Sequence, residues 1–199
     1  MRRATATRKS KETNITVSVN LDGNGKTSVR TGLPFLDHML TLFGVHGLLD
    51  LTVKGSGDLA IDRHHTNEDV GLVLGQALDK ALGERKRITR FGLAYVPMDE
   101  ALARVVLDIS GRAKLIFNDA RLGGPQALST STDYSWNDAE HFLESLVRAC
   151  KVTLHADVLA GNAFHHTLEA VFKALGRAFE QATRIHPRVK GVPSSKGKL

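Results

Sequence analysis

Two short histidine-rich motifs are the parts of this sequence best suited to chemistry. His64-His65-x-x-Glu68 recurs 101 residues later as His165-His166-x-x-Glu169. Imidazole nitrogens and carboxylate oxygens are ligands for divalent transition-metal ions. On a helix, the glutamate lies three and four residues after the two rings and neighbours both, whereas the adjacent rings point about 100° apart. The spacing therefore predicts a metal site in which adjacent histidines serve different ions.

Two further histidines extend the pattern, because His38 and His141 lie in segments that resemble one another. Six imidazoles and two carboxylates divided over two ions give three histidines and one glutamate for each ion. An octahedral ion held by four protein ligands keeps two positions for water or substrate, which suits catalysis better than a closed structural zinc site. The ligand types alone do not select manganese over zinc, cobalt or nickel.

The elements that must position these residues are also repeated. The segment from Glu12 matches the segment from Glu100, and HHTNEDVGLVLGQALDKAL matches HHTLEAVFKALGRAFEQAT. The pattern predicts an α+β fold made of two tandem copies of a β-β-α-β-α unit, with sheets covered by helices. We place the first half-domain at 1–90 and the second, which carries a basic C-terminal tail, at 91–199.

A turn in the first unit and an unmatched segment in the second unit are two further local features. In the first unit, ITVSVNL and KTSVRT flank the turn Asp22-Gly23-Asn24-Gly25, which predicts a β-hairpin. Residues 118–137 have no counterpart in the first unit, and we interpret them as a surface loop.

The charge of the chain is concentrated at its ends. The net charge is +6, but ten basic residues and no acidic ones lie in 1–11 and 184–199, which leaves 17 basic against 21 acidic residues between them. This distribution does not favour a nucleic-acid partner. No apolar run is long enough to cross a membrane or to serve as a secretory signal, so we expect a cytoplasmic protein. The single cysteine, Cys150, is predicted to be a buried structural thiol.

The sequence resembles the imidazoleglycerol-phosphate dehydratase family in five segments, which follow the family's order over nearly the whole chain: TGLPFLDHML, DLAIDRHHTNED, PMDEAL, HHTLEAVFKA and VPSSKGKL. The resemblance implies a duplicated ribosomal-protein-S5-domain-2-like fold and two Mn²⁺ per active site. It also implies a small-molecule phosphate substrate and a homo-oligomer of 24 subunits, built from trimers, with active sites shared between chains.

The same resemblance assigns roles to individual residues. The metal ligands would be His38, His64, His65, Glu68, His141, His165, His166 and Glu169. The phosphate-binding residues would be Arg90, Arg112, Lys173, Ser194 and Lys196. Glu12 would contact the substrate as the catalytic acid and base. Leu33-Pro34 and Leu42 depart from the residues usual in the family near the substrate.

The implied reaction is the dehydration of D-erythro-imidazole-glycerol phosphate to imidazole-acetol phosphate in histidine biosynthesis. No carbonyl acidifies the proton that is lost, so the imidazole ring must assist. Metal binding at the ring nitrogens would favour an imidazolate, which can expel the hydroxyl to give a diazafulvene. Three alternatives stay open on the residues alone: a metallohydrolase of another class, a non-enzymatic metal-binding protein, and a nucleic-acid binder that uses the basic tails.

Overall fold

The computed structural model describes residues 2–119 and 133–199, which form eight strands and four helices. The strands are β1 Arg3–Lys9, β2 Thr13–Asn20, β3 Thr27–Arg30, β4 Asp50–Gly57, β5 Phe91–Met98, β6 Ala101–Asp108, β7 Lys114–Asp119 and β8 Thr153–Ala160. The helices are α1 Pro34–His46, α2 His64–Leu82, α3 Trp136–Cys150 and α4 Phe164–Thr183. None of the helices in the described ranges is long and apolar enough to span a membrane.

The strands form two sheets with the same topology, in the order β1-β2-β4-β3 and β5-β6-β8-β7. The predicted α+β fold in two copies is confirmed, and each copy has one strand more than predicted at its beginning, giving β-β-β-α-β-α. The additional strands β1 and β5 are sheet edges, where only one side of the backbone is paired. All strands of the first sheet precede residue 90 and all strands of the second follow it. The half-domain bounds 1–90 and 91–199 stay a prediction.

The predicted hairpin between β2 and β3 is wrong. β4 lies between these two strands, antiparallel to β2 and parallel to β3. Leu51 and Val53 on β4 are almost fully buried, so this strand belongs in the interior of the sheet. The turn that was expected to close the hairpin instead holds the start of β4, because the backbone N–H groups of Asn24 and Lys26 donate to Asp50 Oδ1.

The helices cover one face of each sheet and pack across the two halves. α2 lies on β1 and β2, α4 lies on β5 and β6, and the helices pair as α1 with α4 and α2 with α3. Gly176 on α4 allows a close approach to α1, since an added Cβ would lie 2.6 Å from Phe43 O. Its repeat counterpart Gly75 does the same on α2, where a Cβ would lie 2.5 Å from Leu146 O. The two close helix pairs bring together histidines that are far apart in the sequence.

The segment without a repeat counterpart is partly described. Residues 118 and 119 are the last two residues of β7. Helix α3 begins at Trp136, and Ser135 and Asp138 form a capping box there. The prediction of a surface loop otherwise falls on residues 120–132, which lie outside the described residues.

Candidate active site

One candidate metal cluster lies between α1 and α4. His38 Nε2 lies 2.9 Å and His165 Nε2 lies 3.0 Å from the same oxygen, Glu169 Oε1. The potential ligand atoms of these three residues all lie within 4.8 Å of one another. Both rings are partly exposed, whereas the Glu169 side chain is 10% exposed. Two imidazole nitrogens and one carboxylate thus point at a common volume that is open to solvent on one side.

The carboxylate of this cluster is ionised. Burial tends to raise the pKa of Glu169, but hydrogen bonds from Lys173, His38 and His165 outweigh it and lower this pKa to about 2. Lys173 Nζ donates to Glu169 Oε2 over 2.6 Å from the next turn of α4. Lys173, predicted as a phosphate ligand, therefore lies beside the candidate metal cluster.

A second, looser cluster lies at the equivalent positions between α2 and α3. The His64 and His141 rings lie 5.2 Å apart and nearly perpendicular, and His64 Nε2 lies 3.7 Å from Glu68 Oε2. Arg148 on α3 donates to Glu68 Oε1 over 2.8 Å, so a basic residue supports the carboxylate here as Lys173 does in the first cluster. The Glu68 side chain is more exposed than that of Glu169, at 36%. The repeat therefore places equivalent side chains at both helix pairs, but the His64–Glu68 separation is longer than either imidazole contact to Glu169.

His65 and His166, the second histidines of the two motifs, turn away from these clusters. The His64 and His65 rings are inclined by 70°, and those of His165 and His166 by 72°. Each second histidine faces a carboxylate instead: His65 Nδ1 lies 3.1 Å from Asp58 Oδ2, and His166 Nδ1 lies 2.9 Å from Glu100 Oε2. Within the described chain, each cluster therefore contains two of the three histidines expected for one ion.

These carboxylates change the titration of the second histidines. The hydrogen bond to Asp58 raises the pKa of His65, and the charge of Glu12 contributes to the rise. The hydrogen bond to Glu100 raises the pKa of His166, and the same bond lowers the pKa of Glu100. Glu12 O accepts a hydrogen bond from the backbone N–H of Asp58, so Glu12 is next to the residue that contacts His65. No hydrogen bond to the Glu12 side chain occurs within residues 2–119 and 133–199.

Most of the predicted phosphate-binding residues lie near the C-terminal segment. Arg90 donates to both carboxylate oxygens of Asp108, over 2.7 and 3.1 Å, and to Pro193 O over 2.8 Å. Its φ of 77° is in the left-handed region, which a residue with a side chain rarely adopts. The backbone and Asp108 together fix the direction of this guanidinium. Ser194 and Lys196 follow Pro193 directly.

Arg112 belongs to the turn between β6 and β7, which the end of the chain contacts. A Cβ added to Gly111 would lie 2.4 Å from the carbonyl carbon of Leu199. The last residues thus pass over this turn, while Ser194 Oγ accepts a hydrogen bond from Lys196 N within the tail. Arg90, Arg112 and the tail form one basic region, and Lys173 is the predicted phosphate ligand that contacts the metal cluster instead.

A cleft of about 690 Å³ opens beside the first cluster, and His38 and His165 form part of its wall. Tyr134, which also lines it, is buried and donates to Asn67 Oδ1 over 2.8 Å. Tyr134, Asp58 and Arg148 were not predicted as parts of the site. Asp58 begins the segment DLAIDRHHTNED and so had a sequence signal, whereas Tyr134 and Arg148 lie outside the five family segments.

Comparison with known proteins shows which family the chain resembles. The model of the family "Imidazoleglycerol-phosphate dehydratase" matches residues 31–179. The chain is 50% identical to the imidazoleglycerol-phosphate dehydratase of Acetivibrio thermocellus over 198 residues, which covers 100% of this chain and 99% of the relative. It is 48% identical to the Bacillus subtilis enzyme of that name, with 100% of both chains covered.

Solved structures give the same result for the fold. A crystal structure of the Pyrococcus furiosus protein, in complex with the compound (S)-C348, superposes with a TM-score of 0.81 at 35% identity and covers 97% of this chain and 99% of that one. A crystal structure from Staphylococcus aureus gives a TM-score of 0.77 at 36% identity, covering 91% and 99%.

Proposed function

The chain belongs to the imidazoleglycerol-phosphate dehydratase family and is a hydro-lyase of histidine biosynthesis, and on that premise we propose that it dehydrates its substrate with two Mn²⁺ ions per active site. The observation that carries this proposal is the His38/His165/Glu169 cluster, together with the side chains at equivalent positions of the other helix pair, His64, His141 and Glu68.

The donor groups fit divalent ions. Each cluster offers two imidazole nitrogens and one carboxylate, and the carboxylate of Glu169 is ionised at neutral pH because its pKa is about 2. Imidazole and carboxylate together suit manganese, zinc, cobalt and nickel, and the choice of manganese rests on the family. An ion held there would supply Lewis acidity and a template for a substrate nitrogen.

Glu12 is the proposed acid and base. The reaction takes a proton from the carbon next to the one that loses its hydroxyl, so a carboxylate must accept one proton and return another. Glu12 lies next to Asp58, the residue that contacts His65, and its side chain forms no hydrogen bond within the described ranges. An uncommitted carboxylate beside a ligand histidine is able to exchange protons with a bound substrate.

The basic region is the proposed phosphate site, formed by Arg90, Arg112, Ser194 and Lys196, with Lys173 as a further cation. Guanidinium groups bind phosphate through two parallel hydrogen bonds, which fixes orientation as well as charge. Asp108 preorients Arg90 for this role through its own two-bond contact.

Turnover of imidazole-glycerol phosphate by the manganese-loaded protein, followed as the ketone product, tests this function. A chelator-treated sample should lose activity and regain it when Mn²⁺ returns. Release of inorganic phosphate in place of the ketone would indicate a metallohydrolase, and bound manganese without turnover would indicate a metal-binding protein.

We further propose a homo-oligomer of 24 subunits with active sites shared between chains. Each cluster has two of its three expected histidines, while His65 and His166 face away from it. A third histidine for each ion would therefore come from a neighbouring copy. A cytoplasmic location is part of the same proposal, and it rests on the role of the family in histidine biosynthesis.

The outer face of the second sheet supports self-association. On β5, Phe91, Leu93 and Tyr95 are 54%, 51% and 53% exposed. The corresponding positions of β1 hold Arg3, Thr5 and Thr7, so the same face of the first sheet is polar. Exposed apolar patches of this kind mark interaction surfaces.

Light scattering tests the assembly, which should have 24 times the chain mass of 21.6 kDa. Replacing Leu93 and Tyr95 by threonine, the residue type of their counterparts in the first sheet, should produce smaller species. A wild-type protein that is monomeric and fully active would contradict the sharing of active sites.

A further inference from the structure

The second histidine of each motif is held by a carboxylate that comes from a different element in each half. For His65 the partner is Asp58, directly after β4, with 3.1 Å between Nδ1 and the nearer carboxylate oxygen. For His166 the partner is Glu100, in the turn between β5 and β6, at 2.9 Å. The histidines are repeat counterparts, but the carboxylates are not.

Two glycines establish which positions of the two halves are equivalent. A Cβ added to Gly57 would lie 2.0 Å from Thr66 Oγ1, and a Cβ added to Gly161 would lie 2.6 Å from Thr167 Oγ1. Each threonine directly follows the His-His pair of its half. The residue after the glycine is Asp58 in the first half and Asn162 in the second. The second half therefore has no carboxylate where the first half has Asp58.

Glu100 compensates for this difference, and its own repeat counterpart is Glu12. Both carboxylate oxygens of Glu100 are engaged, because Oε2 accepts from His166 and Oε1 accepts from Ala163 N at the start of α4. Glu12 is next to Asp58, whose backbone N–H donates to Glu12 O over 3.1 Å. Since Asp58 already holds His65, the Glu12 carboxylate is not required for that contact.

A carboxylate that accepts the Nδ1–H of an imidazole fixes the ring orientation and the tautomer, which leaves Nε2 as the unprotonated ligand atom. We propose that Asp58 and Glu100 are positioning residues that present Nε2 of His65 and His166 to divalent ions, and that Asp58 thereby frees Glu12 for proton transfer. This inference rests on the proposed two-ion site. The two halves of the duplicated chain thus use the same sequence position for different tasks.

Chelator competition measures the affinity of the full-length protein for each of two Mn²⁺ ions. Wild-type protein should bind two per chain, and Glu100→Ala and Asp58→Ala should each weaken one of them by about 10- to 100-fold while sparing the other. Glu100→Gln should restore much of the affinity, because a glutamine oxygen still accepts the Nδ1–H. Glu12→Gln should retain both ions, although it changes the repeat counterpart of Glu100.

Asp99→Asn is the matched control. Its carboxylate is 3.9 Å from His166 Nδ1, too far for a hydrogen bond, and asparagine tolerates the positive φ of 48° at this position. The control should bind both ions normally. If Asp99→Asn weakens binding as much as Glu100→Ala does, long-range charge or an ion site in the turn replaces the positioning role. If Glu100→Ala and Asp58→Ala leave both affinities unchanged while the wild type binds two ions, the inference is wrong and the two-ion proposal stands. A wild type that binds no ion overturns both.

Discussion

His38 on α1 contacts Glu169 on α4 over 2.9 Å, although 131 residues separate them in the chain. The contact exists because α1 and α4 pack closely at Gly176, where a side chain would collide with the backbone of Phe43. The candidate metal cluster is therefore a product of packing between the two halves. Neither half contains a complete ligand set by itself.

Substitution of a cluster histidine should abolish turnover. His165→Ala removes a potential ligand from the first cluster and His64→Ala one from the second, so each variant should lose activity together with bound manganese. Cys150→Ala is the control, since it removes one buried sulfur far from any proposed ligand role and should cost about 1 kcal/mol of stability at most. Steady-state kinetics and thermal unfolding separate the effects. Equal losses in all three variants would indicate general destabilisation.

Glu12→Gln should depress the chemical step and leave the fold and the metals intact. Glutamine preserves the shape of the side chain but does not carry a proton at neutral pH. General acid–base groups contribute about 100- to 10,000-fold, and the loss should appear in kcat. Activity within about twofold of the wild type would remove Glu12 from the mechanism.

Removal of residues 194–199 should weaken substrate binding and spare the core. The tail supplies Ser194 and Lys196, and its end lies against Gly111 beside Arg112. Loss of hydrogen bonds to a charged phosphate should raise KM by about 10-fold or more, while metal content and Tm remain unchanged. An unchanged KM, or failure of inorganic phosphate to compete with substrate, would leave phosphate binding to Arg90, Arg112 and Lys173 alone.

The thiol of Cys150 should be inert in the folded protein at pH 8. Burial raises its pKa to about 12, so the thiol stays protonated throughout the accessible pH range, and the thiolate is the reactive form. In denaturant the pKa returns to about 8.5 and reaction should become fast. Absorbance after addition of an aromatic disulfide reagent, with and without guanidinium, measures the difference. Rapid reaction of the folded form would show that the site opens to solvent.

The repeat explains how much of this structure could be predicted from the sequence. Matching spacing in the two halves predicted paired histidine clusters, because a duplicated unit places equivalent residues at equivalent points of the fold. The hairpin prediction failed since local turn residues do not reveal that β4 inserts between β2 and β3. Asp58 and Arg148 were missed for a related reason. The contact of Asp58 with His65 has a different partner type in the second half, and Arg148 contacts Glu68 of the other half. Neither residue is repeated in the other half of the chain.

Metal analysis of the manganese-loaded, desalted protein tests the central claim most directly. The two equivalent clusters predict a value approaching two Mn²⁺ per chain, together with dehydratase activity that chelation removes. A reproducible value near zero with dehydratase activity intact would contradict the two-ion site, even if the individual variants lose activity as predicted.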